Sequence, residues 1–332
     1  MKKIAIVTNN SWYAWNMRLN LGFALQKQGY EVVFICPYDK YSEKIKEHFK
    51  YVDVEINSNG TNPIEDLKNI YGYYKIYKDI KPDVLLHFTI KPNIYGTIVA
   101  SMLNIPTINN ITGLGILFVK QSLITKIAKW LYKVSQKKAT KIFFQNQDDF
   151  KIFADEGLIA QEKCDVLPGS GVDIETFKPI EKEDDGVFRF LVASRMLWEK
   201  GIQEFVEAAK IIKQKYPNVQ FQILGHLDIH NPSAISKEQM NIWVRDGYVN
   251  YLGSSDNVRI EISNADCIVL PSFYREGTPR ILLESASMAK PIITTNNVGC
   301  RDVVDDGING YLCEVRNAQD LASKMELMIN LQ

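Results

Sequence analysis

The chain has 332 residues, with 39 basic and 39 acidic side chains and a formal net charge of zero. A chain longer than about 250 to 300 residues is expected to form two domains, because single hydrophobic cores stop growing near that size. The neutral charge gives no electrostatic reason to expect nucleic acid as a partner, and five scattered cysteines without a C-x-x-C pair indicate a reducing compartment and no cysteine metal site.

The first residues, MKKIAIVTNN, predict a strand. A signal peptide is not expected, because the apolar run is short and no small-residue cleavage site follows it. No apolar run approaches the ~20 residues that a membrane-spanning helix needs. We therefore expect a soluble or peripheral protein.

Short β-branched runs alternate with helical patterns through the first half of the chain. The predicted strands are Ile4–Val7, Val32–Ile35, Tyr51–Ile56, Val84–His87, Thr107–Ile111 and Ile142–Phe144. The predicted helices are Trp15–Gln28, Asn62–Tyr77, Tyr95–Leu103 and Ser122–Lys137. This alternation is typical of an α/β domain with a parallel sheet and helices on both faces. Ligands of such sheets bind beyond the carboxyl ends of the strands.

Two loops after these strands carry candidate binding residues. The loop Thr8–Arg18 has no glycine and thus no dinucleotide fingerprint, and its Asn16 and Arg18 either line an acceptor site or pack on a neighbouring element. Thr89 and Lys91 stand just ahead of a predicted helix, where a cation would create an anion site. The alternative for Lys91 is a solvated loop lysine.

Thr112, Gly113 and Gly115 follow the fifth strand. The two glycines would let backbone N–H groups approach a phosphate closely, although the third glycine of a dinucleotide motif is missing. His87, at the end of the fourth strand, is either a buried, hydrogen-bonded histidine or a catalytic one.

The segment from Val84 to Gln147 contains eight lysines and no Asp or Glu. In the predicted helix Ser122–Lys137, one face is apolar at a period of 3.6 and the lysines lie opposite; the apolar residues are Ile124, Ile127, Leu131 and Val134. Such a helix either lies on an anionic membrane surface or covers the sheet and exposes its charged face to solvent.

The second half repeats the alternation after a segment rich in glycine, proline and charge. We predict an N-terminal domain over residues 1–166, a linker over 167–186 and a C-terminal domain over 187–332. The predicted strands of the second domain are Phe188–Ala193, Gln220–Leu224, Val249–Leu252, Cys267–Leu270, Ile292–Thr294 and Gly310–Cys313.

The loop after the first of these strands contains Arg195, Lys200 and Gly201. Two cations and a glycine at a strand-to-helix turn suit a diphosphate, with Arg as a bidentate fork and Lys as a point charge. The alternative is that Arg195 pairs with Glu199 or another surface acid. Gly225 and Gly253 end the next two strands and either face a nucleobase or form ordinary turns.

Two glutamates, Glu276 and Glu284, lie eight positions apart in PSFYREGTPRILLESASMAKP. A helix is expected to begin near Pro279, and eight helical positions would separate the carboxylates by about 12 Å. That distance exceeds the roughly 5 to 9.5 Å of a glycosidase pair. It suits an extended ligand with hydroxyls at both ends and negative charge between them, held at a helix N-terminus. A nucleotide sugar has this chemistry.

These motifs, together with Gly277, Thr278 and Pro279, resemble those of retaining glycosyltransferase family 4, over nearly the whole chain. Members of this family have the GT-B fold, with two Rossmann-like parallel-sheet domains facing across a cleft. The segments TIKPNIYG, ITGLG, PGSGVD, NPSAIS and REGTPR are similar to the bacterial branch that extends undecaprenyl-diphosphate-linked sugars. That branch serves O-antigen, capsule or N-glycan precursor assembly, and N-acetylgalactosaminyltransferases belong to it.

The resemblance implies roles for the candidate site residues of the second domain. Arg195 and Lys200 would bind the diphosphate and stabilise it as leaving group, Glu276 and the Gly277 N–H would hold the donor sugar, and Glu284 the ribose. It also implies a UDP-sugar donor, a polyprenyl-diphosphate-linked acceptor and no metal or other cofactor. The enzyme would be peripheral on the inner face of the bacterial cytoplasmic membrane.

Three positions depart from the family pattern. Phe88 stands where many relatives have a histidine, Ala289 replaces a glycine after the glutamate-bearing helix, and the sequence ends at Gln332, where relatives continue into a helix that crosses back to the first domain. Two further functions therefore stay open: a nucleotide-sugar 2-epimerase of the same fold and a non-catalytic nucleotide-sugar-binding subunit.

Overall fold

The chain forms two compact units, Met1–Ser170 and Gly171–Gln332. The boundary falls inside the predicted linker, although Phe177 and neighbouring apolar residues of that segment pack into the core of the second unit. Gly115 and Ser122, two positions singled out above, lie outside the residues described. The computed structural model describes residues 1–55, 63–114, 123–227 and 231–331.

The first unit contains a seven-stranded parallel sheet. Its strands are β1 (Lys3–Val7), β2 (Glu31–Cys36), β3 (Lys50–Asp53), β4 (Val84–Phe88), β5 (Thr107–Ile111), β6 (Lys141–Phe144) and β7 (Cys164–Val166). Its α-helices are α1 (Ser11–Tyr13), α2 (Leu19–Lys27), α3 (Ser42–Lys46), α4 (Pro63–Ile80), α5 (Thr97–Met102), α6 (Leu123–Gln136) and α7 (Gln147–Asp155), and π-helical turns span Ala14–Arg18 and Pro92–Gly96.

The second unit contains a six-stranded parallel sheet. Its strands are β8 (Arg189–Ala193), β9 (Gln220–Leu224), β10 (Asn250–Tyr251), β11 (Cys267–Leu270), β12 (Ile292–Thr295) and β13 (Gly310–Cys313). Its helices are α8 (Ile202–Lys213), α9 (Lys237–Arg245), α10 (Val258–Asn264), α11 (Arg280–Ser287) and α12 (Ala318–Ile329).

Both sheets share one strand order. The first is β3-β2-β1-β4-β5-β6-β7 and the second is β10-β9-β8-β11-β12-β13, which is the Rossmann order in each unit. The order reverses between β1 and β4 and again between β8 and β11. Ligands of doubly wound sheets bind at this reversal, beyond the carboxyl ends of the strands. The two reversals therefore mark where each unit is expected to bind its ligand.

The predicted strands are present, and β5, β9, β11 and β13 have the predicted bounds. Of these four strands, β11 (CIVL) is the continuous apolar run typical of a buried parallel strand, whereas β5 and β9 also contain polar residues. The three-residue edge strand β7 was not predicted.

Helical structure after β1 begins at Ser11, four residues before the predicted helix start at Trp15, so the loop is shorter than expected. The Asn10 side chain caps this helix by accepting a hydrogen bond from the Tyr13 N–H at 2.6 Å, which is typical of an N-terminal Asn.

Ala289, the residue in place of the usual glycine, has φ of +55° at the end of α11. A non-glycine residue in this left-handed region is uncommon. No helix in the described part of the chain is both long and apolar enough to cross a membrane.

Candidate active site

The loops that follow β8 and β11 meet at the strand reversal of the second sheet. The Glu199 carbonyl accepts hydrogen bonds from the N–H groups of Phe273 and Tyr274 at 3.0 and 3.1 Å. Gly201 has φ of +74°, and a Cβ there would overlap the Pro271 carbonyl oxygen. Glycine is therefore required at position 201 for the two loops to approach. The two segments predicted to bind a diphosphate and a sugar are neighbours.

Lys200 and Glu276 form an ion pair between Nζ and Oε1, with side-chain exposures of 10% and 12%. Ser272 Oγ donates a hydrogen bond to the same carboxylate oxygen at 3.0 Å, and the Lys200 ammonium lies 5.0 Å from the centroid of the Tyr274 ring. The sequence predicted contacts from Lys200 and Glu276 to different parts of a ligand. The structure adds that each is the counterion of the other.

Gly277, Thr278 and Pro279 connect Glu276 to helix α11. Pro279 occupies the N-cap position with extended backbone, φ −63° and ψ 122°, so the helix begins one residue after it, close to the predicted start. The separation of about 12 Å expected between Glu276 and Glu284 was calculated for a helix over all eight positions. Because the helix begins only at Arg280, that distance does not describe this site. Gly299, with φ of +79°, packs so closely on this segment that a Cβ would overlap the Gly277 carbonyl oxygen.

Glu284 lies on α11 and is 7% exposed. Burial raises the pKa of its carboxyl group above the usual range, and the neighbouring Arg280 guanidinium opposes this shift. Arg280 Nε is 2.6 Å from Glu284 Oε1. Sequence reasoning missed Arg280, although a pair of opposite charges four residues apart on a helix was the signal for it.

Arg195 is exposed, and its side chain forms no hydrogen bond or ion pair with another described residue. The partner considered for it, Glu199, instead accepts a hydrogen bond from Ser233 Oγ. The guanidinium therefore keeps its N–H donors available for an oxyanion.

Gly225 and Gly253 contact each other where β9 and β10 end. The Gly225 N–H donates to the Gly253 carbonyl at 2.8 Å, and the Gly225 carbonyl accepts from the Tyr251 hydroxyl at 2.7 Å. A Cβ on Gly225 would overlap the Ser194 carbonyl oxygen. Close packing of turns thus accounts for Gly225, while a contact of either glycine with a nucleobase stays a prediction.

Arg18 lies at the strand reversal of the first sheet and is 6% exposed. Its guanidinium carbon is 4.1 Å from the centroid of the Phe88 ring, at the end of β4. Its Nη2 donates hydrogen bonds to the Tyr13 hydroxyl at 2.7 Å and to Ser170 Oγ at 3.0 Å. Arg18 therefore packs on neighbouring residues, which is one of the two alternatives considered for it. It also lies at the edge of the sheet where a ligand is expected.

Two other predicted residues of the first unit are engaged within the protein. The Asn16 amide donates to the Trp12 carbonyl at 2.9 Å. Lys91 lies within the first helical turn rather than ahead of it, and its Nζ is 3.0 Å from Asp66 Oδ1. Lys91 is therefore neither a solvated lysine nor an unpaired cation, because a carboxylate already balances its charge.

The residues that follow β4 and β5 have unusual backbone. Thr89 has φ of +72°, and its buried Oγ1 has no hydrogen-bond partner in the described part of the chain. Thr112 and Gly113 are half-buried, and Gly113 has φ of +115°. A β-branched residue at positive φ persists only where the surrounding packing imposes it.

His87 is fully buried, as the first of its two interpretations expected. Its ring nitrogens lie within hydrogen-bond distance of Tyr77, Thr97 and Asn109. Burial lowers the pKa of His87 to about 3, so the imidazole is neutral at physiological pH.

The predicted apolar face of the basic helix is buried only in part. Leu131 packs against the core as expected, but Ile127 was expected to face inward and is 51% exposed, beside Trp130 at 61% and Leu123 at 73%. Among the described side chains of α6, those that are buried are Thr125, Ala128, Tyr132, Ser135 and Gln136. Gln136 explains this, because its side chain hydrogen-bonds to the Asn93 carbonyl and to the Asn109 amide, both at 2.8 Å.

The lysines predicted on this helix divide into two groups. Lys129 pairs with Glu156 at 2.6 Å, so an acid from outside the acid-free segment balances its charge. Lys126, Lys133 and Lys137 are exposed and form no ion pair with any residue that the structure describes. The exposed face of α6 therefore combines apolar side chains with unpaired lysines.

In the ranges that the structure describes, no three His, Cys, Asp or Glu side chains are grouped so as to hold a metal ion. The expectation of a reaction without metal stays a prediction.

Two family models cover both units: Glycosyl transferase 4-like over residues 3–146 and Glycosyl transferases group 1 over residues 173–332. Sucrose-phosphate synthase from Thermosynechococcus elongatus has the same fold, with a TM-score of 0.81 at 16% identity over 99% of this chain and 90% of its own. Glycosyltransferase models thus match both units, and the chain belongs to the GT-B glycosyltransferases.

Two curated relatives are similar over most of their length. The N,N'-diacetylbacillosaminyl-diphospho-undecaprenol alpha-1,3-N-acetylgalactosaminyltransferase of Campylobacter jejuni is 29% identical over 98% of this chain and 89% of its own. The UDP-Gal:alpha-D-GlcNAc-diphosphoundecaprenol alpha-1,3-galactosyltransferase of Escherichia coli is 27% identical over 76% of this chain and 68% of its own.

Proposed function

We propose that this glycosyltransferase moves a hexose or N-acetylhexosamine, with retention, from a UDP-sugar to a polyprenyl-diphosphate-linked saccharide during bacterial surface polysaccharide or glycan assembly. The observation that carries this proposal is the ion pair of Lys200 and Glu276 at the strand reversal of the second sheet, with the exposed Arg195 on the same loop as Lys200. The names of the two relatives support the substrate classes, because both describe acceptors on diphospho-undecaprenol and one names a UDP-sugar donor.

The cations bind the departing diphosphate. Arg195 provides an exposed fork of N–H donors, and Lys200, which donates to Glu276, has two further N–H groups on its ammonium. In the reaction, the acceptor hydroxyl oxygen bonds to the anomeric carbon while the bond from that carbon to the diphosphate oxygen breaks. The hydroxyl proton leaves with the diphosphate, whose developing charge the two cations stabilise. No metal ion is required for these steps.

The acidic residues hold the ends of the donor. Glu276 and the Gly277 N–H bind hydroxyls of the transferred sugar, with Thr278 and Pro279 completing the same turn. The Glu284 carboxylate, oriented by Arg280, accepts hydrogen bonds from the ribose. Gly225 and Gly253 border the nucleobase.

The acceptor binds to the first unit. Arg18 and Thr89 lie at its strand reversal, Asn16 lies on the same helical turn as Arg18, and Thr112 and Gly113 follow the adjacent strand β5. These polar groups suit the hydroxyls and oxyanions of a saccharide on a lipid carrier. Gly115, which continues this segment, is proposed as an acceptor contact from its sequence position alone. Lys91 acts indirectly at most, because Asp66 neutralises it.

The function is tested by incubating the purified protein with UDP-sugars and with a synthetic acceptor that carries one sugar on a diphosphoryl lipid. Release of UDP is expected only when donor and acceptor are both present, together with a product that retains the anomeric configuration of the donor. Conversion of the donor without acceptor would indicate an epimerase. Binding of UDP without turnover under any combination would indicate a nucleotide-sugar-binding subunit.

The lipid-linked acceptor implies contact with a membrane, and the exposed face of α6 suits it. Ile127 and Trp130 offer apolar surface, and Lys126, Lys133 and Lys137 lie beside them without acidic partners among the described residues. A helix of this composition lies in the interface of an anionic bilayer, where each lysine adds about 1 kcal/mol. The enzyme is thus peripheral, on the inner face of the bacterial cytoplasmic membrane.

We expect the double substitution Ile127→Ser/Trp130→Ser to weaken binding to phosphatidylglycerol vesicles by at least about 150-fold, since burying each of the two side chains contributes roughly 1.5–3 kcal/mol. Vesicle co-sedimentation measures this effect. Ile308→Ser is the matched control, because Ile308 is 84% exposed in the second unit. Equal losses in both variants, or none in the double variant, would refute docking through α6.

A further inference from the structure

The charge of Arg18 is buried without a counterion. The residue is 6% exposed, and no carboxylate pairs with it in the part of the chain that the structure describes. An isolated buried charge is costly unless hydrogen bonds and nearby electron-rich groups compensate for it. Here the compensation comes from the face of the Phe88 ring and from two neutral hydroxyl groups. Arg18 is thus a buried cation with no carboxylate counterion among the described residues.

The hydrogen bonds of Arg18 use only one end of the guanidinium. Both donate from Nη2, to Tyr13 and Ser170. The buried Nε has no hydrogen-bond partner in the described ranges, and neither has Nη1. Nε–H and Nη1 lie on opposite sides of the guanidinium and form no common fork, but Nη1 keeps two N–H groups that can donate charge-assisted hydrogen bonds to an oxygen of a phosphate or carboxylate.

The position of Arg18 agrees with a ligand-binding role. The chain reaches Arg18 soon after β1, and the guanidinium stacks on Phe88 at the end of β4. These strands flank the reversal of the first sheet, where doubly wound folds bind their ligands. Phe88 and Tyr13 also fix the guanidinium in place, which reduces the side-chain entropy that a ligand contact would otherwise have to overcome.

We propose that Arg18 binds the diphosphate of the lipid-linked acceptor and thereby selects diphosphate-linked over neutral saccharides. This proposal rests on the proposed function and adds to it the group that the first unit recognises. In acceptors with a single sugar on the lipid carrier, the diphosphate is one sugar ring away from the reacting hydroxyl. Arg18 would therefore hold the charged group of the acceptor that lies nearest to its reacting sugar.

The test compares two acceptors with the same sugar and the same alkyl chain, one joined through a diphosphate and one through a neutral ether. The wild-type enzyme is expected to prefer the diphosphate acceptor by about 100-fold in kcat/KM, the size typical for a desolvated, charge-assisted contact. Arg18→Gln should lower kcat/KM for the diphosphate acceptor by about the same factor. It should leave the neutral acceptor within about threefold, because that acceptor makes no ionic contact.

Further measurements separate this inference from its alternatives. Arg18→Lys keeps the charge and should restore part of the preference, and its thermal unfolding reports whether the fold survives. Lys46→Gln removes an exposed cation of the same unit and should change neither acceptor. A higher Kd for UDP in Arg18→Gln would assign the oxyanion to the donor and overturn the proposal, as would equal losses with both acceptors. If the wild-type enzyme used neither acceptor, the proposed function itself would fail first.

Discussion

Replacing Glu276 with glutamine is expected to lower kcat/KM for glycosyl transfer by about 1000-fold, the upper range for loss of one preorganised polar contact to a transition state. Glutamine keeps the shape of the side chain but loses the charge that accepts hydrogen bonds from sugar hydroxyls. Steady-state kinetics with donor and lipid-linked acceptor measure the loss.

The same substitution should leave binding of UDP unchanged or make it tighter. UDP lacks the transferred sugar, and the neutral glutamine no longer competes for the Lys200 ammonium. Isothermal titration calorimetry with UDP therefore separates loss of sugar recognition from loss of the site. A variant that transfers sugar within threefold of the wild-type rate would remove Glu276 from the mechanism.

Stability provides a second readout for this pair. Removing one partner of a buried ion pair leaves a charge without compensation and costs about 3–5 kcal/mol, so Glu276→Gln should lower the free energy of unfolding by about 3 kcal/mol. Glu326→Gln is the matched control, because its ion pair with Lys215 is largely exposed and such pairs contribute at most about 1 kcal/mol. Urea unfolding of both variants, and of Lys200→Gln/Glu276→Gln, tests whether the buried pair acts as a unit.

The order of the elements could be predicted because most strands are buried, and because the motifs for diphosphate and sugar follow strands directly. That placement predicted that the loops carrying Lys200 and Glu276 are neighbours, whereas a shared site with Arg195 stays a prediction. The ion pair between Lys200 and Glu276 was not predictable: the two residues are 76 positions apart, and they meet because Gly201 approaches Pro271 closely and the Glu199 carbonyl binds the N–H groups of Phe273 and Tyr274.

The orientation of α6 shows a different limit of sequence analysis. Hydrophobic periodicity assigns the apolar face to the interior, but in this helix Gln136 joins a buried hydrogen-bond network with Asn93 and Asn109. A buried polar group must be satisfied, and this requirement determined which face packs inward. Leu131 packs on the core, whereas Ile127 of the same predicted face is exposed.

Arg18 was recognised in the sequence only as one polar residue of a loop. Its burial depends on helical structure that begins at Ser11, and on Phe88 from a strand 70 residues further along the chain. Neither the stacking on Phe88 nor the absence of a carboxylate partner among the described residues is visible in local sequence. The chemistry of the residue type was predictable, whereas the environment that makes it a candidate anion site was not.

The turn that carries the donor-sugar contacts depends on Gly299, and Gly299→Ala is expected to disturb it severely. Gly299 and Gly307 have nearly equal φ values, +79° and +77°, so alanine at either position carries the same left-handed backbone penalty of roughly 1–2 kcal/mol. A Cβ at Gly307 would have no atom within 4 Å. A Cβ at Gly299 would overlap the Gly277 carbonyl oxygen and crowd that of Glu276.

Gly299→Ala must therefore displace the Glu276–Gly277 peptide, whereas Gly307→Ala need not move anything. We expect Gly299→Ala to lose about 100-fold in kcat/KM, since a displacement near 1 Å can have that effect, and to unfold about 2 kcal/mol more easily than Gly307→Ala because of the added crowding. Gly307→Ala should retain the wild-type kcat/KM. Urea unfolding and steady-state kinetics measure the free energy of unfolding and kcat/KM of the two variants. Equal values in both variants would mean that the turn tolerates a Cβ at position 299 and that the Glu276–Gly277 peptide does not position the sugar.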